Sequence, residues 1–97
     1  MTPEGLTKVK LKKYLRDRGA YFFMPVQTGY GAPTLDFLVC LRGSFIGYET
    51  KARGKDLTPR QKMAARAIAA AGGAVFRVTL DEQGELKFDA VINKEAV

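Results

Sequence analysis

Apolar and polar positions change most sharply between residues 36 and 51, where the chain reads DFLVCLRGSFIGYETK. Two apolar runs, Phe37 to Leu41 and Phe45 to Tyr48, meet at Arg42-Gly43, with Asp36 before the first and Glu49-Thr50-Lys51 after the second. The pattern predicts a β-hairpin whose charges are gathered at one end. In an antiparallel pair with a short turn, the residue entering the first strand lies beside one leaving the second, so Asp36 and Glu49 are expected to be neighbours. Alternation along a strand places Glu49 and Lys51 on one face and turns Thr50 away.

The flanking segments carry their own boundaries. Thr2-Pro3-Glu4 offers a capping hydroxyl, a proline suited to the first helical position and a first-turn acid, predicting a helix from Pro3 to Arg18 that Gly19 stops. Its apolar side is read as Leu6, Val9, Tyr14 and Leu15. Ala20 to Val26 is short and aromatic with Pro25 near its end, which suits an edge strand, and Tyr21, Phe22 and Phe23 are assigned to core packing. Cys40 alternates with core positions and is read as a small buried hydrophobe.

Gln27 to Thr34 (QTGYGAPT) is a glycine-rich loop without the lysine of a phosphate-binding loop. After the hairpin, Ala52 to Asp56 forms a basic loop, and Thr58-Pro59-Arg60-Gln61 has the spacing of a capping box. Met63, Ala64, Ala67, Ile68 and Ala71 then recur at helical spacing as a narrow small-residue face, and Gly72-Gly73 ends the helix. Val75 to Leu80 reads as a strand and Asp81 to Gly84 as a turn, whereas Leu86 to Val91 suits either a returning strand or a short helix. The order is α, β, β, β, α, β and a tail.

Composition narrows the chemistry. A chain of 97 residues, 46% hydrophobic, is expected to form one domain, residues 1–97. One cysteine and no histidine exclude an internal disulfide, a zinc finger and any histidine-based nucleophile or base, and suggest a reducing, cytoplasmic compartment. The start MTPEG has no secretory pattern. The longest uncharged apolar run, Ala67 to Phe76, is too short to cross a bilayer, so a soluble chain is expected.

The net charge of +6 is unevenly spread: residues 1–79 carry +9 and residues 80–97 carry −3. Twelve of the 16 basic residues fall in two blocks, one from Lys8 to Arg18 and one from Lys51 to Arg66, which points to a polyanionic partner, most simply nucleic acid. At the hairpin's end, two carboxylates brought together repel unless a cation lies between them. A hard divalent ion such as Mg²⁺ suits that place.

The residues that make this arrangement also resemble a known family. An acid in the first helix (Glu4), Asp36 opening the hairpin, Glu49-Thr50-Lys51 closing it and Leu57-Thr58-Pro59-Arg60-Gln61 starting the next helix resemble the PD-(D/E)XK nuclease superfamily, and within it the VRR-NUC (virus-type replication-repair nuclease) family in the stand-alone form carried by phages. The similarity spans roughly residues 4–79, and it is the conjunction of these elements that carries it. One departure is that Thr34 and Leu35 separate Pro33 from Asp36, where the family's usual pattern joins proline directly to the aspartate.

The resemblance implies an α/β, restriction-endonuclease-like core of order αβββαβ, with a mixed central sheet flanked by helices. It implies Mg²⁺- or Mn²⁺-dependent hydrolysis of DNA phosphodiesters by a homodimer. The substrates would be junctions, flaps or other branched structures met in phage replication, recombination or repair, in the host cytoplasm. Carried over by position, Asp36, Glu49 and the backbone carbonyl of Thr50 bind metal and Lys51 orients or activates the attacking water. Gln61 and Glu4 support the site, Glu4 through a water or a second ion. By position and charge, Lys8, Lys12, Gln27, Tyr30, Arg53, Lys55 and Arg60 are assigned to DNA contacts. The rival readings are a catalytically inactive basic nucleic-acid-binding module and a small ribosome-associated protein in which the grouping of Asp36, Glu49 and Lys51 is a coincidence.

Overall fold

The computed structural model describes residues 1–26 and 31–91, which run α1 (Pro3–Asp17), β1 (Tyr21–Phe23), β2 (Phe37–Leu41), β3 (Ser44–Thr50), α2 (Pro59–Ala70), β4 (Ala74–Leu80) and β5 (Leu86–Ala90). The strands form one sheet in chain order, β1-β2-β3-β4-β5. Every neighbouring pair is antiparallel except β3 and β4, which are parallel and joined through α2. The sheet is therefore mixed, as expected. The open choice for residues 86–91 resolves as a strand: Leu86–Ala90 pairs antiparallel with β4.

The hairpin forms because its turn can. Arg42 and Gly43 both take left-handed backbone angles, φ 50 and 82, the conformation whose twist matches that of the paired strands. Leu41 then faces Ser44 and Phe37 faces Tyr48, a register that sets Asp36 and Glu49 side by side just past the last apolar pair. A one-residue slip would turn the apolar set to the opposite face, so the register is strongly held.

The two helices lie on opposite faces of the sheet. On one, Leu11 and Leu15 of α1 pack on Phe37, Val39, Tyr48 and Val78. On the other, Ala64 and Ala65 of α2 pack with Leu35, Leu57 and Val75. The second contact is close because β3 offers Gly47 there: a Cβ on it would lie 2.8 Å from Leu35 Cδ1 and 3.0 Å from Ile68 Cδ1. No described helix is long and apolar enough to cross a membrane.

Four expectations of burial need correction. In α1 the sheet-facing line is Thr7, Leu11 and Leu15, and Leu6 and Val9 are exposed. In α2 it passes through Gln61, Ala64, Ala65 and Ile68, leaving Met63, Ala67 and Ala71 exposed. Of the aromatic run in β1, only Phe22 enters the core, its ring 5.8 Å from Phe37, while Tyr21 is 73% exposed and Phe23 also lies open. Cys40 is likewise exposed. Tyr21, Cys40 and Phe45 are in register across β1, β2 and β3 on the face opposite α1, all three exposed, with Phe45 beside Ala67 and Ile68 at the C-terminal end of α2.

Replacing Leu11 by Ala is expected to lower stability by about 2–5 kcal/mol, the range for emptying a filled core site. Leu6→Ala should stay within about 0.5 kcal/mol. Urea denaturation of the two variants checks the rotation of α1, and equal losses would contradict it.

Candidate metal and catalytic site

The strand ends that the hairpin brings together hold each other's acidic groups. Asp36 N–H donates to Glu49 Oε1 at 3.0 Å. Thr50 donates twice to Asp36 Oδ2, from its backbone N–H at 3.1 Å and from its hydroxyl at 2.6 Å. Thr50 is fully buried and Glu49 is 1% exposed, so both carboxylates are fixed by hydrogen bonds in a place poor in water.

Each flanking helix adds a residue from the first turns of its sheet-facing line. Gln61 reaches in from α2, its Nε2 donating to Glu49 Oε2 at 3.0 Å. The other end of the same amide completes the capping box, with Oε1 accepting from Thr58 N–H at 2.9 Å. Because the oxygen serves the cap, the NH₂ is the end left for the carboxylate. From α1 comes Glu4: one carboxylate oxygen from each of Glu4, Asp36 and Glu49 can be chosen so that all lie within 4.8 Å of one another. Two ammonium groups flank these acids, Lys51 Nζ at 3.9 Å from Glu49 Oε2 and Lys8 Nζ at 3.8 Å from Asp36 Oδ1.

The electrostatic consequence falls on Glu49. Burial pushes its carboxyl up to about 8, and the neighbouring Asp36 charge pushes the same way, outweighing the Asp36 N–H bond and Lys51, which favour the ionised form. A cation among the three acids would relieve both unfavourable contributions. The donors are all carboxylate oxygens, which suits a small hard divalent ion over a thiophilic one.

The structure thus brings together Glu4, Asp36, Glu49, Thr50, Lys51 and Gln61 of the residues singled out from the sequence. Lys8, assigned to DNA contact, also lies at the acids. The remaining assignments lie elsewhere. Lys12 is half-buried on α1, and Arg53 is exposed and ion-paired with Glu82 at 3.9 Å. Lys55 is exposed on the connection before α2, where its carbonyl accepts from Arg77 Nη1 at 3.4 Å. Arg60 donates from Nη2 to the Gly31 carbonyl at 3.2 Å. Gln27 and Tyr30 lie outside the described residues.

Two features were missed in the sequence. The Thr50 side chain was expected only to point away, yet its hydroxyl anchors Asp36, which precedes β2 and so is not bound to strict strand alternation. The place of Lys8 had a signal: it follows Glu4 by four residues and therefore shares its helix face.

No family model and no curated protein sequence matches the chain. Solved structures do. A protein described as a VRR_NUC domain aligns with a TM-score of 0.66 and 26% identity, over 79% of this chain and 84% of that one. Hjc of Archaeoglobus fulgidus, described as a Holliday junction resolvase from an archaeal hyperthermophile, aligns with a TM-score of 0.68 and 15% identity, over 86% of this chain and 72% of that one. The fold is therefore that of the PD-(D/E)XK nucleases, in agreement with the resemblance carried by the sequence.

The raised carboxyl of Glu49 has a measurable effect on the ion-free protein. Between its ordinary value of 4.5 and about 8, the folded state keeps a proton that the unfolded chain has lost. Glu49 therefore favours the folded state fully below pH 4.5 and progressively less as pH rises towards about 8, with a slope of at most about 1.4 kcal/mol per pH unit. Urea melts across that range in EDTA should show the decline, and Glu49→Gln should flatten it. An unchanged slope in the variant would contradict the assignment.

Proposed function

We propose that this chain is a divalent-metal-dependent endonuclease that hydrolyses DNA phosphodiester bonds. The observation that carries the reading is the convergence of Glu4, Asp36 and Glu49 within 4.8 Å, with Lys51 beside Glu49, at the strand ends of a PD-(D/E)XK fold. In this reading Asp36, Glu49 and the backbone carbonyl of Thr50 bind Mg²⁺ or Mn²⁺, and Glu4 joins directly, through a water or at a second ion. When bound, such an ion supplies an acidified water and a Lewis acid for a phosphoryl oxygen.

The protein's own groups supply orientation and charge. Thr50 fixes Asp36 through two hydrogen bonds, and Gln61 fixes Glu49 through one, so the acids are set before substrate arrives. Lys51, whose side chain is only 13% exposed, keeps its ammonium at the site, where it orients the attacking water and offsets the negative charge that builds on the phosphate. Lys12, Arg53, Lys55 and Arg60, with Gln27 and Tyr30, are proposed to follow the DNA backbone, and Lys8 to join them at the acids. The basic surround selects a polymer over a small phosphate ester.

Branched DNA is the proposed substrate class, because Hjc, which shares the fold, is a Holliday junction resolvase. A role in phage replication, recombination or repair, in the cytoplasm, rests on the VRR-NUC resemblance, and the proposal that residues 1–97 make up a single domain rests on the chain's length and composition. A homodimer is proposed as the working form. What supports it is the apolar row Tyr21, Cys40 and Phe45, with Tyr21 and Phe45 73% and 48% exposed, beside the sheet's edge strand β1. A two-fold contact through this face would give a symmetric junction two sites.

The test is incubation with four-way junction, flap, single-stranded and duplex DNA in Mg²⁺, Mn²⁺ or EDTA. Cleavage is expected only with a divalent ion and most on branched substrates, and Asp36→Asn or Lys51→Met should reduce it by about 10²-fold or more. Salt-sensitive binding without cleavage under any condition would favour the inactive binding module.

Sedimentation velocity should show a dimer. Phe45→Glu, which places a charge in the apolar row, should shift it to monomer. A monomeric parent, alone and on DNA, would reject the assembly.

A further inference from the structure

The two lysines at the acidic site differ in how firmly they are held. Lys51 follows β3 directly, and its side chain is 13% exposed. Lys8 extends from the middle of α1 with its side chain 36% exposed, and its ammonium meets Asp36 at Oδ1, the oxygen that Thr50 does not use. A divalent ion that takes Asp36 into its shell comes close to this ammonium, and like charges at that distance in a half-buried site repel. Lys51 has little room to yield. Lys8, with a flexible four-carbon stem and a path to solvent, can leave.

We infer that Lys8 is a removable counter-cation: it balances Asp36 while the site lacks its ion and moves to a DNA phosphate when the ion enters. The inference rests on the metal-nuclease reading above and deepens it by assigning Lys8 a positioning role that couples the two ligands. An ion displaces the ammonium and makes it available to DNA. A phosphate that draws the ammonium away removes the like charge that an ion at Asp36 would meet. By linkage the two effects are one coupling and must be equal in size. A lysine that keeps its place beside Asp36 would repel the ion too, but its removal would leave the ion-produced gain in DNA affinity unchanged. A lysine that merely holds Asp36 in place would have the opposite effect on the ion, since its removal would weaken the ion's site.

The experiment uses the full chain, with Lys8→Met, which keeps most of the aliphatic stem, and Lys8→Arg, which keeps the charge. Calorimetric titration with Mn²⁺ in the absence of DNA should give Lys8→Met a tighter site than the parent, by about fivefold or more, with Lys8→Arg close to the parent. Anisotropy with a four-way junction, in EDTA and in Ca²⁺, gives the gain in DNA affinity that the ion produces. That ratio should fall by about fivefold in Lys8→Met and be kept in Lys8→Arg, whatever happens to the absolute affinities. Mn²⁺ binding by Lys8→Met that is equal to or weaker than the parent's, or a ratio that does not fall, overturns the inference.

A parent chain that binds no Mn²⁺, or an Asp36→Asn variant that binds it normally, overturns the metal-nuclease reading, and this inference with it. When the parent binds and Asp36→Asn does not, the metal reading stands and the Lys8 variants alone decide.

Discussion

Two acidic side chains are held against each other across the end of a hairpin, and the rest of the site follows from how the chain tolerates that. Separately, each would be an ordinary strand-end carboxylate in contact with water. Burial first, and the neighbouring Asp36 charge second, disfavour the ionised form of Glu49, which is why its carboxyl is raised to about 8. The fold keeps them in place with backbone and side-chain donors: Asp36 N–H on one acid, Thr50 on the other. These donors orient the acids, and among the described residues Lys8 and Lys51 set positive charge beside them at 3.8 and 3.9 Å. The result is a site whose geometry is set and in which one buried acid ionises only with difficulty, a combination that favours a cation.

The helices take part in this because both of their sheet-facing lines change character near the same strand ends. In α1, Leu11 and Leu15 lie over the apolar part of the sheet, and the same side of the helix continues through Thr7 and Lys8 to Glu4. In α2, Ala64 and Ala65 lie on the sheet one turn after Gln61. The polar residues are on the inward side because the hairpin's own apolar pairs stop at Phe37 and Tyr48 and charged groups follow. Packing and chemistry are therefore set by one rotation of each helix: turning Leu11 out of the core would also turn Glu4 and Lys8 out of the site.

What could be read from the sequence was what local chemistry decides. The Arg42-Gly43 turn, the caps at Thr2 and Thr58, and the meeting of Asp36 with Glu49 depend on residues close in sequence or fixed by one hairpin register, and all are found. Rotation of the helices was less legible, because α1 and α2 each carry apolar residues on more than one side and only the sheet decides which side is buried. Leu6 and Met63 are hydrophobic enough for the core and lie outside it. For Tyr21, Phe23 and Cys40, alternation revealed two faces but not that α2 leaves one of them bare at the β1 side. Residues 86–90 became a strand through pairing with β4, a long-range choice that the pattern of 86–91 left open. The part played by the Thr50 hydroxyl depended on how Asp36 leaves the strand ladder, which spacing does not encode.

Gln61 shows why an amide stands where an acid would fit the capping box equally well. The cap needs only an acceptor, and glutamate serves there as readily as glutamine. The other end of the side chain, however, faces Glu49 Oε2, and the contact there requires a donor. A glutamate at 61 would keep the helix start and set a further negative charge against a carboxyl already raised by its surroundings. The amide satisfies both demands because its two ends differ: the oxygen ties the start of α2 to Thr58, and the nitrogen ties the helix to the acid. The start of α2 and the orientation of Glu49 are thus linked, so a change that frays the first turn of the helix also takes the amide from Oε2 and leaves the carboxylate with the Asp36 N–H on Oε1.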